Sequence, residues 1–283
     1  AGLGRAGVAE EAYVFDPETT RKNMSSGDLQ SNLRRLGDIV SSQGSLLKGL
    51  QAGVRVIAAG TGVVPAGMYS LHVACGGRSA AAVQADAQHC RKLLGDLGGR
   101  EIPNSIPMAA RATPFDNLNG VLGPHGERWV ALNAKLPHSD SALIIDGFAD
   151  LVARFQNELE EQGVTVSTLI VAMDTHAFSY EVVFHWSDRW LPQHRMVPDP
   201  AFLSTITEPV GNPAATALVA VMREQTLQLF TELGAASSQI GRTYPYRENL
   251  EEPAGRLLDA LKTELDPDGR MNPGVLGFRK PVL

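Results

Sequence analysis

Polar and apolar residues recur with the period of a strand in some segments of this chain and with the period of a helix in others. Alternation over 68–74 and the pattern of 128–136 predict two strands, and the first is followed by a turn at Gly76 and Gly77. Further strands are predicted at 100–103, 164–173 and 180–186, and apolar residues dominate the last two of these segments. Strands of this length are typical of a sheet with one buried face.

Helical spacing of apolar residues is found before, between and after these strands. The predicted helices cover 28–50, 79–97, 139–162, 212–233 and 251–265. Polar residues suited to N-capping stand at four of the predicted starts, namely Asp28, Ser79, Ser139 and Asn212. Pro213 then occupies the first turn of its helix, where its missing N–H costs no hydrogen bond.

The order of these elements predicts an α+β fold. We expect a duplicated ferredoxin-like antiparallel sheet, covered by helices on one face, with a helical segment at the C-terminus. Residues 1–26 are expected to form an irregular lead-in, and 54–67 and 103–124 are expected to be mostly loop. The predicted organisation is a lead-in with its helix at 1–67, a substrate (cap) domain at 68–234 and a C-terminal segment at 235–283.

Composition and charge narrow the function. The 283 residues carry a net charge of −6, which argues against nucleic-acid binding because phosphate contacts need clustered lysines and arginines. No apolar run approaches the roughly 20 residues that span a bilayer. Cys75 and Cys90 alone cannot make a disulfide framework or a zinc site, so we expect a cytoplasmic protein. The first residue is Ala1 rather than Met, which suggests a processed N-terminus.

The most specific stretch is a pair of turns near the C-terminus. The last predicted helix leads into a turn at 266–269, and Asn272, Pro273 and Gly274 form a second. Consecutive tight turns hold backbone amides in fixed directions, which suits the polar edge of a cofactor. The same turns could simply lock the C-terminus in place, and the spacing alone leaves both roles open.

This double turn resembles the C-terminal signature of FAD-linked oxidases of the vanillyl-alcohol oxidase and 4-cresol dehydrogenase type. Three earlier segments are similar to the same family, in the same order: 123–129, 168–184 and the Tyr246-Arg247 pair. The resemblance covers roughly residues 68–279. It implies an FAD cofactor and hydride transfer to the flavin from a small-molecule substrate, either a phenolic alcohol or a 2-hydroxy acid.

The resemblance also implies which residues act. Tyr246 and Arg247 are expected to face the substrate, because a phenol hydroxyl can orient an oxygen and a guanidinium can hold an anion. The residues expected to contact the cofactor are Gln239, Arg242, Asn272, Pro273 and Gly274.

Departures from the family are equally informative. Its FAD-binding half has no counterpart here, so we expect a missing FAD-binding domain or subunit and an inactive isolated chain. Ala177 and Phe178 stand nearest the position of covalent flavin attachment in some relatives, which disfavours a covalent link. Lactate-dehydrogenase-like flavoproteins, the nearest rival subfamily, hold a metal through segments that differ here at 176–181 and 238–241. We therefore expect no metal.

A hairpin over 164–186 carries two further candidate catalytic residues, His176 and Glu181. Glu181 and His185 are four residues apart and share a strand face, whereas His176 leans to the other side. Two imidazoles and a carboxylate could bind zinc or iron, but a buried, hydrogen-bonded histidine is the commoner arrangement.

Three functions thus stay open. They are the FAD-dependent oxidoreductase, a non-catalytic ferredoxin-like module that binds a ligand or partner, and a metal-dependent enzyme. The electron acceptor stays open too, as does whether the protein forms a homodimer.

Overall fold

The computed structural model describes residues 1–25, 64–104, 123, 125–198, 200–237 and 239–278. The predicted helix over 28–50 and most of the predicted loop over 103–124 lie outside these residues. The strands are β1 (Glu11–Phe15), β2 (Ser70–Ala74), β3 (Glu127–Pro137), β4 (Thr165–Met173) and β5 (Ala177–Ser187). The helices are α1 (Gly2–Ala6), α2 (Pro17–Ser25), α3 (Ala80–Asp96), α4 (Ser141–Arg154), α5 (Gln156–Gln162), α6 (Pro192–Met196), α7 (Pro200–Leu203), α8 (Pro213–Glu232) and α9 (Glu252–Leu265). Short 3₁₀ turns cover His138–Asp140 and Val275–Gly277.

The strands form one antiparallel sheet in the order β2-β1-β4-β5-β3. The predicted α+β class with an antiparallel sheet is therefore confirmed. β4 and β5 are joined by a short turn and pair from Met173 opposite Ala177 to Thr165 opposite His185. β5 pairs in turn with the whole of β3, so these three strands make the longest part of the sheet.

The N-terminal part of the sheet differs from the sequence prediction. β1 lies within the segment expected to be irregular, and it sits between β2 and β4 with Ala12 buried. The predicted strand over 100–103 is wrong, because these residues have no regular structure. Glu101 instead forms an exposed ion pair with Arg91 of α3, at 3.0 Å.

The N-terminal helix α1 and the residue that follows it carry glycines at the spacing of a dinucleotide-binding loop, at Gly2, Gly4 and Gly7. In that motif the glycines follow a strand of a parallel sheet and open a helix. Here they precede β1, which belongs to an antiparallel sheet. They therefore lack the context in which such a loop holds a pyrophosphate.

Two of the predicted N-caps are confirmed. Ser79 Oγ accepts a hydrogen bond from the Ala82 N–H at 3.2 Å, and Asn212 Oδ1 accepts one from the Ala215 N–H at 3.0 Å. Ser139 is not a cap, because it lies in a 3₁₀ turn and its hydroxyl donates to Asp140. The single helix expected after it is two helices, α4 and α5, which are separated at Phe155, where φ is −112°.

The helices α4 and α8 pack on one face of the sheet and form the main core with it. Because side chains alternate along a strand, the even-numbered residues of β3 and β5 face these helices. The largest fully buried side chains are Leu132, Leu136, Ile144, Leu151, Val182, Phe184, Val219, Met222 and Thr226. Truncation of an apolar side chain in such a core costs about 2–5 kcal/mol. The odd-numbered residues of the same strands face the other way.

A smaller apolar cluster extends the same layer beneath α1 and α3. Leu3, Ala12 and Cys90 are buried in it, and Cys75 packs against them. The two cysteines are free thiols whose sulfur atoms lie 3.8 Å apart. Burial raises the pKa of the Cys90 thiol to about 11.

Across the part of the chain that the structure describes, none of the helices is both long and apolar enough to traverse a lipid bilayer.

Gly126, which directly precedes β3, is in close contact with the loop after α7. Its φ is +89°, and a Cβ there would lie 2.1 Å from Pro209 Cγ and 2.5 Å from the Asp188 carbonyl oxygen. We expect Gly126→Ala to lower the free energy of unfolding by about 3 kcal/mol or more, from backbone strain and overpacking together. Gly163→Ala is the matched control, with φ of +62° and no atom within 4 Å of the added Cβ. It should cost only about 1 kcal/mol. Urea unfolding of both variants measures the difference, and equal losses would contradict the close packing.

Candidate functional site

The sheet face opposite α4 and α8 carries a polar group of side chains on β3 and β5. We call Asn133, Lys135, Ser179 and Glu181 the outer-face site. Asn133 lies directly opposite Glu181, and Lys135 lies directly opposite Ser179. Opposite residues of an antiparallel pair have Cβ atoms about 5 Å apart, so the four side chains form one contiguous patch.

Lys135 is the cation of this site. Its ammonium donates hydrogen bonds to Asn133 Oδ1 and Ser179 Oγ, both at 2.8 Å. Burial lowers the pKa of Lys135, and the charge of Glu181 opposes that shift. Since both acceptors are neutral, Lys135 presents a partly desolvated positive charge that is fixed in position by both strands.

Glu181 projects from the middle of β5 onto the same face. Burial raises the pKa of its carboxyl group, and the nearby Lys135 charge opposes the shift. The carboxylate accepts no hydrogen bond from any residue within the described ranges. A carboxylate with a raised pKa and free lone pairs is suited to accept a proton from a ligand.

The segment after α8 covers the outer edge of β3. Lys135 and Ala236 exchange backbone hydrogen bonds of 2.7 and 3.1 Å. The Asn133 N–H donates to the Tyr244 hydroxyl at 2.7 Å, and that hydroxyl donates to Gln239 Oε1 at 3.2 Å. Tyr244 is buried, so the segment is held against the strand that carries Lys135.

A cavity of about 410 Å³ lies beside this edge, and we call it the β3-edge cavity. Asn133, Tyr246, Thr231 and Asn249 are among the residues that line it. Tyr246, a candidate from the sequence, thus shares a cavity with Asn133 of the outer-face site. Asn133 therefore links the cavity to the outer-face site, although neither Lys135 nor Glu181 is among the residues that line the cavity.

A second cavity, of about 450 Å³, shares the walls formed by Tyr244 and Pro245 with the first, and we call it the C-terminal cavity. Arg242 and Gly274 lie on its wall. The Arg242 guanidinium donates to the Pro273 carbonyl oxygen at 2.9 Å.

The predicted cofactor contacts are therefore largely brought together. Arg242, Pro273 and Gly274 meet at the C-terminal cavity, and Asn272 shapes the turn with a φ of 48°. Gln239 instead contacts the Tyr244 hydroxyl beside the edge of β3.

Arg247 lines neither of these two cavities. Its guanidinium forms an ion pair with Asp259 of α9, at 2.6 Å, and this carboxylate raises the pKa of Arg247. The same group packs over Gly255, where an added Cβ would lie 2.2 Å from Arg247 Nη1. The structure therefore separates Tyr246 and Arg247, which the sequence suggests act side by side.

His176 lies in the turn between β4 and β5 and is exposed. Its Nδ1 is 2.6 Å from Thr175 Oγ1. Glu181 and His185 share the outer face of the sheet, and the His185 Nε2 lies 2.9 Å from Ser167 Oγ. The structure thus does not bring His176 to Glu181. Within the described residues, no three His, Cys, Asp or Glu side chains are grouped so as to hold a metal ion.

Lys135, Asn133 and Tyr244 are parts of the site that the sequence analysis did not identify. The alternation over 128–136 places Asn133 and Lys135 on one strand face, and this was the available signal. Tyr244 left no such signal, since 111 residues separate it from Asn133.

Comparison with known proteins places the fold. The sequence matches no protein-family model and no curated protein. An alkyldihydroxyacetonephosphate synthase structure aligns with a TM-score of 0.51 over 94% of this chain and 39% of that one, at 10% identity. The chain has the fold of part of this synthase. The resemblance found in the sequence is thereby confirmed at the level of the fold.

Two further structures align with lower scores. One is the alkyldihydroxyacetonephosphate synthase in another crystal form, with a TM-score of 0.46 over 94% of this chain and 39% of that one, at 12% identity. The other is a 4-ethylphenol oxidase from Gulosibacter chungangensis in complex with isoeugenol, with a TM-score of 0.49 over 98% and 49%, at 12% identity. The chain spans less than half the length of each of these structures.

The raised pKa of Glu181 predicts a pH-dependent stability. The folded state holds the Glu181 proton more tightly than the unfolded state, so stability is lost as pH rises from the ordinary value of 4.5 through the folded pKa. We expect Glu181→Gln to unfold at a higher urea concentration than the wild type at about pH 7, and at the same concentration at about pH 4.

Glu224→Gln, at an exposed position of α8, is the matched control and should show no such pH-dependent gain. An equal effect of both substitutions at neutral pH would show that burial of Glu181 is not the cause.

Proposed function

We propose that this chain is the C-terminal, substrate-side (cap) part of an FAD-dependent oxidoreductase. The substrate is a phenolic alcohol or a 2-hydroxy acid, and it is oxidised by hydride transfer to FAD. An FAD-binding domain or subunit outside this chain supplies the other half, in keeping with a chain that spans 39% of the synthase whose fold it shares.

The observation that carries this proposal is the convergence of the C-terminal segment on the outer-face site. Tyr246 and Asn133 line one cavity, and Asn133 is also the neighbour of Lys135 and Glu181 in the outer-face site. Two of the segments that resemble FAD-linked oxidases in sequence contribute here: Tyr246 lines the cavity, and Glu181, from 168–184, lies opposite Asn133. Half-buried charged groups close to a cavity are typical of active sites.

The residues at this place fit the ring end of FAD. The isoalloxazine edge carries acceptor atoms and gains negative charge on reduction, and Lys135 at the outer-face site and Arg242 at the C-terminal cavity each present cationic donors. A pyrophosphate needs backbone N–H groups at a helix start that follows a strand, and the glycines of α1 do not have that setting. We therefore propose that this chain contacts the ring of FAD and that the missing FAD-binding domain or subunit contacts its pyrophosphate.

FAD, when bound, supplies the acceptor for the hydride. The residues of this chain supply the surroundings of the substrate. Tyr246 orients the substrate oxygen through its hydroxyl, and Glu181 accepts a proton or a hydrogen bond. Lys135 holds negative charge in a partly desolvated position, where a charge-assisted hydrogen bond is strong.

A non-catalytic ferredoxin-like module is the alternative, since the β3-edge cavity could equally hold a ligand that is not transformed. The two functions differ in whether flavin accompanies the protein. We also propose a reducing, cytoplasmic setting, since Cys75 and Cys90 are free thiols in contact with each other.

Flavin content tests the proposal. We expect the isolated 283-residue chain to be purified without FAD, because it supplies ring contacts and no pyrophosphate loop. The protein purified from its own cells should carry about one FAD per chain, and anaerobic addition of the correct substrate should bleach the flavin absorbance. An isolated chain that carries a stoichiometric amount of FAD contradicts the proposal that the FAD-binding half lies outside this chain. A native protein without flavin supports the ligand-binding module instead.

The role of Arg247 can be separated from that of its ion pair. We propose that Arg247 serves the chemistry by holding the negative charge of the reduced flavin. Arg247→Ala should then slow flavin reduction by roughly a hundredfold, as for other preorganised donors. Arg247→Lys should recover little, because an ammonium does not reproduce the planar fork.

Asp259→Asn is the matched control, since it removes the ion pair but keeps the guanidinium. Stopped-flow reduction of the native flavoprotein should be nearly unchanged in this variant, with thermal melting recorded for all three. If Asp259→Asn slows the reaction as much as Arg247→Ala does, Arg247 is a structural residue.

A further inference from the structure

We propose that Lys135 and Glu181 form a subsite for 2-hydroxy acids with an apolar side chain, in which Lys135 Nζ binds the carboxylate and Glu181 accepts the adjacent hydroxyl hydrogen. This inference rests on the proposed function. It decides between the two substrate classes named there, in favour of the 2-hydroxy acid.

The first support is the hydrogen bonding of Lys135. An ammonium has three N–H donors, and two of them are taken by Asn133 Oδ1 and Ser179 Oγ. No residue of the described segments accepts the third. A lysine tethered by two neutral oxygens keeps its full charge available, because neither partner neutralises it. The group therefore suits an incoming anion.

The second support is that Lys135 and Glu181 are close but not paired. They are diagonal neighbours on adjacent strands, and each feels the charge of the other. They nevertheless form no ion pair, since the ammonium is turned to Asn133 and Ser179. Two opposite charges held apart on one surface match a ligand that carries an anion and a hydroxyl donor side by side.

The third support is the composition of the next strand. On β4, Leu169 lies opposite Glu181 and Val171 lies opposite Ser179. Opposite residues project to the same face, so these two side chains continue the outer-face site as an apolar surface. A 2-hydroxy acid whose carboxylate and hydroxyl lie at the charged end can rest its apolar substituent there. A simple phenolic alcohol leaves Lys135 without an anion.

The reaction balances with these residues. The hydroxyl O–H bond breaks and its proton moves to the Glu181 carboxylate. The C–H bond of the same carbon breaks, and hydride leaves to the FAD of the proposed function. The carbon–oxygen bond becomes double, so the product is a 2-oxo acid and the two electrons reside on the reduced cofactor.

Binding to the full chain tests the subsite without any flavin. The chain is isotope-labelled at lysine Cε and glutamate Cδ, and carbon NMR follows Lys135 and Glu181 during titration with 2-hydroxyisocaproate. Isocaproate lacks the hydroxyl, and 2-hydroxyisocaproamide lacks the charge. We expect saturable shifts of both signals with 2-hydroxyisocaproate, about tenfold weaker binding of isocaproate, and no binding of the amide.

Variants assign the two roles. Lys135→Met should abolish saturable shifts of Glu181, whereas Lys135→Arg, which keeps the charge, should retain them. Glu181→Leu should remove the tenfold preference for 2-hydroxyisocaproate over isocaproate, as seen at Lys135. Lys92→Met, at an exposed position of α3, is the matched control and should bind like the wild type. Thermal melting confirms that each variant is folded.

The outcomes separate this subsite from the proposed function. Specific shifts in a protein whose native form lacks FAD support the subsite and contradict the oxidoreductase. A native flavoprotein that is bleached by phenolic alcohols, but whose chain gives no shift at Lys135, overturns the subsite alone. Equal binding of 2-hydroxyisocaproate and isocaproate by the wild type overturns the role of Glu181.

Discussion

The outer edge of β3 is the constraint on which the arrangement of the candidate site depends. An edge strand exposes unpaired N–H and C=O groups, which need partners. Ala236 and the Tyr244 hydroxyl provide them, at Lys135 and Asn133 respectively. The chain after α8 is therefore fastened to the strand that carries the cation of the outer-face site. Tyr246 reaches the β3-edge cavity as a consequence of this backbone requirement.

The same fastening explains why the outer-face site can hold two charges that are not paired with each other. Desolvation disfavours the charged form of both groups, which lowers the pKa of Lys135 and raises that of Glu181. The sheet that displays them is stabilised from its opposite face, where Phe184, Val182 and Leu132 are fully buried. The apolar face thus stabilises the sheet and offsets the cost of burying charged groups on the other face, which is common where polar groups must be held in fixed positions.

Features that depend on residues close together in the sequence could be predicted, whereas contacts between distant residues could not. Ser79 and Asn212 cap helices through bonds to residues three positions ahead, so a few residues contain the whole signal. β1 could not be predicted because a strand of five residues shows little periodicity. Its strand conformation depends on pairing with β2 and β4. The shared face of Glu181 and His185 followed from strand alternation. The contact between Tyr244 and Asn133 depends on the fold and has no local pattern.

The packing of Arg247 over Gly255 couples two positions that are not neighbours in sequence. Any side chain at position 255 would displace the guanidinium, because even a Cβ lies 2.2 Å from Arg247 Nη1. Substitution at a residue that bears no functional group would therefore move the guanidinium that pairs with Asp259 of α9. In related proteins, a glycine at this helix position would indicate that the arginine can pack over the helix as it does here. A larger residue would indicate that the arginine side chain takes another position.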